Sequence, residues 1–144
     1  MNILTPPKSS YMLDVAGLDL LHEQSNEWLS EIAFWRIEAN FFHSLIIKKN
    51  FKYIPLHAKN EVKQIEKELI SITIDELDKL EQAVEKHENF LSLLLKTKSH
   101  QEDSYRKKHR ELSKTINQFE IRFKKVKKEV FDLAKQITKE KKNV

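Results

Sequence analysis

A chain of 144 residues with one glycine and three prolines has the length of one domain and too little turn chemistry for a β-sandwich or barrel. At 40% apolar and 33% charged it is too hydrophobic for wholesale disorder. No run approaches the ~18 uninterrupted apolar residues of a bilayer span, and Met1 to Ser10 lacks the basic-then-apolar order of a leader, so no membrane association and a cytoplasmic setting are expected. The lack of cysteine excludes disulfides, thiolate nucleophiles and thiolate metal sites.

Residues 1–17 hold Pro6, Pro7, Ser9, Ser10 and Gly17. They read as a loosely ordered arm ahead of a single helical-bundle domain over 18–144. From Asp19, a candidate N-cap, to Lys48 there is no helix breaker. Trp28, Ile32, Trp35, Ala39, Phe42 and Ile46 fall at alternating steps of four and three, which predicts a helix over about 19–48. Phe34, Phe41 and Leu45 form a second apolar arc beside that stripe. Residues 49–58, with Asn50 and Pro55, read as a connector.

A second helix is predicted over about 59–98. Val62, Ile65, Leu69 and Ile72 mark its first half, and Leu77, Leu80, Val84, His87, Leu91 and Leu94 its second, with the phase slipping by one residue between them. At the slip, Thr73 stands three before Glu76 and Ile72 precedes Leu77, the pattern of a capping box with a hydrophobic staple, so a kink or restart is expected there. A third helix, over about 100–140, carries the most regular seam: Tyr105, His109, Leu112, Ile116, Phe119, Phe123, Val126, Val130, Leu133 and Ile137.

The wholly polar stretch 96–104 separates these two seams, with Ser99 three before Glu102 as a second capping box. A reversal there predicts a long antiparallel αα-hairpin with facing residues whose numbers sum to about 200, Leu91 opposite His109 among them. The expected fold is therefore all-α, a hairpin braced by the shorter first helix in a three-helix or dimeric bundle. In outline this resembles spectrin-like and other helical-bundle repeats, an architecture that hosts many unrelated functions. The surplus apolar arc on the first helix, and its short span relative to the hairpin, predict a homodimer.

Charge is unevenly spread. Residues 106–144 carry fourteen basic against five acidic side chains, whereas 59–105 carry seven against eleven. The cluster Arg122, Lys124, Lys125, Lys127 and Lys128 would neutralise phosphates on a nucleic acid. It would equally complement an acidic neighbouring helix, with Glu76 falling opposite Arg122. No arginine-aromatic interleaving or zinc finger accompanies it, so nucleic-acid binding is the less favoured reading.

Glu31 and Glu38 fall between the two apolar arcs of the first helix, where a carboxylate needs a partner or a raised pKa. Arg122 and Lys127 are the nearest basic groups in the expected register. Carboxylate-bridged metal bundles use Glu-x-x-His pairs, and the chain has none. His87 and His109 occupy seam positions where leucine is expected. If the first helix runs antiparallel to the second with numbers summing near 107, His22 lands near His87, and three imidazoles with Glu23 or Glu88 would offer a divalent metal site. The simpler expectation is a pair of neutral histidines with no cofactor, partly exposed at the weakly covered tip and satisfied by water or Glu88; between the two stands a hairpin tip that loosens below about pH 6, when imidazolium becomes costly to bury. Trp28 and Trp35, seven apart on the buried stripe, read as core anchors.

With one glycine there is no phosphate loop, and Ser99-His100 lacks a positioned acid. The sequence points to a non-enzymatic helical interaction or scaffold protein that self-associates. A metal-binding bundle, catalytic or not, is the alternative, and a basic nucleic-acid binder the third reading.

Overall fold

The computed structural model describes residues 17–48, 54–97 and 100–143, excepting the side chains of 48 and 137–143. The arm before Gly17, Ser99 of the second capping box and the Ile137 side chain lie outside the described residues. The protein is all-α. Helix α1 spans Leu18–Lys48. A 3-10 turn, Leu56–Ala58, leads into α2, Lys59–Ser71. A π-helical turn, Ile72–Glu76, joins α2 to α3, Leu77–Thr97, and α4 runs Glu102–Asn143.

Helix α1 begins one residue before the expected Asp19 cap. The Gly17 carbonyl accepts from the amides of Leu20 and Leu21, and Asp19 sits inside the first turn, where its charge complements the helix dipole. Pro55, at φ −58° and ψ 146°, is extended as its ring requires and ends the connector. Its carbonyl accepts from Ala58 at 2.9 Å, starting the next helical segment.

The phase slip is one added residue accommodated inside a helix. Ile72 and Leu77 are both fully buried although five residues apart, and the π turn supplies the extra residue without ending the helix. The expected capping box does not form. Thr73 Oγ1 donates to the carbonyls of Leu69 and Ile70 at 3.0 and 3.1 Å, taking up acceptors that the widened turn loosens. Glu76 instead pairs with Arg122.

The chain divides into two compact units, Met1–Ile32 with Lys79–Gln118, and Ala33–Asp78 with Phe119–Val144. In the first, Leu21 packs with Leu91, Leu94 and Tyr105, and His87 bonds His109, so α3 and α4 run antiparallel. The register is displaced by about one turn from expectation: His109 faces His87 rather than Leu91, and Leu91 packs with Tyr105. The seam also shifts sideways once, because Ser113 is buried while Leu112 is only half-buried. Positions 112 and 113 straddle the seam of a 3.6-residue helix, and the smaller side chain occupies the closer approach.

In the second unit, Trp35 packs on Phe119 at 5.1 Å and Phe42 edge-on to Phe131 at 5.4 Å. Numbers rise together along these pairs, so α1 and α4 run parallel. Val62, Ile65, Leu69, Phe123, Val126 and Val130 complete this core.

Candidate functional site

The first unit holds a buried chain of imidazoles. His87 and His109 lie one per helix on α3 and α4, 5% and 0% exposed. His87 Nε2 and His109 Nδ1 are 2.8 Å apart, and His109 Nε2 lies 2.7 Å from Gln24 Oε1 on α1. With the Gln24 carbonyl accepting, His109 donates through Nε2–H, and its Nδ1 lone pair accepts from His87 Nε2–H. Both rings are then neutral. The Tyr105 ring stacks on His87 at 4.2 Å and 2°. On the other side Trp28 stacks on His109 at 4.6 Å.

This burial opposes protonation. The His87 pKa is lowered to about 4, first by loss of solvent and then by the Lys108 ammonium. His109 is lowered to about 3 by burial, by His87 and by Arg106. Protonating His109 at Nδ1 would also set its N–H against the N–H of His87 Nε2. An open groove of about 510 Å³ lies beside His87, lined by Lys86, Phe90, Lys108 and Glu111 among others. Of these, the Lys108 ammonium adds to the cost of a charged His87.

His22 does not join the pair. It lies half-exposed on α1, its Nδ1 2.6 Å from Glu88 Oε2. The α1–α3 register is therefore 22 with 88 rather than 22 with the expected residue near 85. Among the described residues no group of three or more His, Asp or Glu side chains is placed to hold a metal ion. Two ring nitrogens of the expected ligand set are already committed to each other.

Glu88 Oε1, Ser25 Oγ and Tyr105 Oη are buried without a hydrogen-bond partner of good geometry. Burial raises the Tyr105 phenol to about 12, with the Glu88 carboxylate adding to the rise and the nearby Ser25 hydroxyl opposing it. Sequence reasoning placed Tyr105 in the seam but missed Gln24 and Ser25. Serine, four after Leu21 and three before Trp28, was the available signal.

The second unit places the carboxylates and the basic cluster. Glu38 accepts from Lys127 Nζ at 3.3 and 3.4 Å, and Glu76, rather than either α1 carboxylate, takes Arg122. Glu31 is half-buried. Lys127 and Arg122 also lie over the rings of Phe123 and Phe119 at 5.0 and 5.6 Å. Two of the five clustered cations are thus spent within the fold, while Lys124, Lys125 and Lys128 face solvent. Arg36 pairs with Asp78 at 2.7 Å.

The same unit exposes a face of α1 that sequence reasoning found only in part. From Ala33 to Ile47 every exposed α1 residue is uncharged: Ala33, Phe34, Ile37, Asn40, Phe41, Ser44 and Ile47. Phe34, Ile37 and Phe41 are 59%, 66% and 58% exposed, and Phe131 on α4 is 50% exposed. Phe41 lies edge-on to Phe42, which meets Phe131, so the apolar surface continues from one helix to the next. Leu45, expected on this arc, is half-buried at its margin. Ile37 was missed, although it lies three after Phe34 and four before Phe41.

No described helix is long and apolar enough to cross a membrane. Compared with protein-family models, curated proteins and solved structures, the chain matches none of them.

Proposed function

We propose that the protein is a non-enzymatic helical interaction or scaffold protein that associates with a second copy of itself through the outer face of α1. The observation that carries this reading is the run of exposed, uncharged residues from Ala33 to Ile47 in a chain that is 33% charged. Interface cores are depleted in charge and enriched in aromatics, and contiguous apolar patches on a folded surface mark association sites. Phe34, Ile37, Phe41 and Phe131 together offer roughly 400–500 Å² of exposed apolar area, from the usual area of such side chains. That is about half of the ~800 Å² per partner in a standard interface, the remainder being a polar rim. An uncharged patch also meets its own copy without like-charge repulsion, as a two-fold interface requires.

The buried histidines serve the fold in this reading, holding three helices in register through one hydrogen-bonded chain. Light scattering coupled to size exclusion at tens of micromolar tests the proposal. The mass expected is twice 17.2 kDa. Ile37→Glu and Phe41→Glu are expected to give monomers with unchanged helical circular dichroism. A wild-type monomer, or a dimer indifferent to both substitutions, refutes the proposal.

A further inference from the structure

Resting on that self-association, the geometry points to an antiparallel pairing of α1 with the α1 of a second copy about a dyad near Ile37, each Phe34 lying against the partner's Phe41. Two stripes on the helix carry the argument. Glu27, Phe34 and Phe41 recur at steps of seven, so they drift by only about 20° per step along one side. Ser30, Ile37 and Ser44 recur at the same step beside them. Glu27, Phe34, Ile37, Phe41, Ser30 and Ser44 are all exposed.

Both stripes read alike from either end in size. Pairing a copy head to tail about Ile37 sets Phe34 against the partner's Phe41 and serine against serine at the flanks, and keeps the two Glu27 carboxylates at opposite ends. Parallel pairing would place Glu27 against Glu27, like charge on like charge, which disfavours it. The α1 dipoles also oppose one another in the antiparallel arrangement. The small flanking serines let the helices converge, while Ile37 fills the centre between the two aromatic pairs.

The absence of cysteine makes the arrangement directly readable by engineered cross-links. In the full chain, Ser30→Cys and Ser44→Cys are conservative, and Ile37→Cys lies at the dyad. About seven residues from the dyad at 1.5 Å each, two copies of position 30 stand roughly 20 Å apart, well beyond the ~7 Å Cα separation that a disulfide spans. Expected under oxidation are covalent dimers from Ile37→Cys alone, none from Ser30→Cys or Ser44→Cys alone, and a strong heterodimer band when those two are mixed and allowed to exchange. Self-cross-linking at all three positions means parallel pairing and overturns the inference. A dimer by light scattering with no cross-link at any position places the interface elsewhere and also overturns it. A monomer by light scattering removes the self-association and this arrangement together.

Discussion

Lowering the pH from 7.5 to 5 should destabilise this protein through His87 and His109. In an unfolded chain both titrate near 6.5, whereas folded they are held down to about 4 and about 3. Between those values the unfolded state binds the protons and the folded state does not, so stability falls as pH falls. The stabilisation is complete above about pH 7 and is lost progressively from 6.5 down to the folded pKa values. At pH 5 each imidazole contributes about 2 kcal/mol to the loss, from 1.36 kcal/mol per pH unit.

The pair therefore removes about 4 kcal/mol, a large share of the 5–15 kcal/mol that holds a typical domain together. Lys108 and Arg106 oppose protonation from α4. Glu88 is engaged with His22 and contributes no shift to either ring. Urea unfolding read by tryptophan fluorescence is a direct assay, because Trp28 stacks on His109, and helical circular dichroism at each pH provides the global signal. The double variant His87→Leu/His109→Leu, which replaces both partners of one buried bond with the residue expected at a seam, should lose most of this pH dependence. Equal slopes of stability against pH for wild type and double variant would refute the reasoning.

Tyr105→Phe removes a buried hydroxyl without a well-formed partner and should leave stability unchanged or raise it by up to about 1 kcal/mol in urea melts. A loss above that would mean the phenol is bonded in solution. Deleting Ile74, 69% exposed within the π turn, should turn the five-residue step into an ordinary four and leave the seam on both sides in phase. The variant is expected to keep its helical circular dichroism and thermal midpoint, while deleting Ala83, inside regular α3, should collapse both. Phe123→Ala, at 1% exposure, should cost about 3–5 kcal/mol. Glu38→Gln should cost no more than about 1 kcal/mol, because the Lys127 pair is partly solvated.

Helix identity and core faces were legible along the chain because they are periodic, and periodicity is local. Every position of the first stripe from Trp28 to Ile46, and of the second from Val62 to Leu94, is buried. Even the π turn announced itself, as one extra residue between Ile72 and Leu77, although the Thr73–Glu76 pattern suggested a cap. Thr73 found carbonyls four and three residues back, and Glu76 found Arg122, partners that a local motif does not encode.

Register was legible only in part: Glu76 meets Arg122 and Glu38 meets Lys127 as the expected pairing had them, whereas at the His87–His109 end it differs by about a turn. Heptad seams interdigitate almost equally well when slipped by a turn, so the pairing is decided by side chains that meet only once the helices are packed. The link from His87 through His109 to Gln24 selects one register, drawing on three segments far apart in the chain, and it leaves His22 to Glu88. The uncharged outer face of α1 is likewise carried by residues between Ala33 and Ile47. Whether Ile37 lies in a core or in solvent depended on where α4 and the segment 59–97 lay against that helix, and only the tertiary structure decided it.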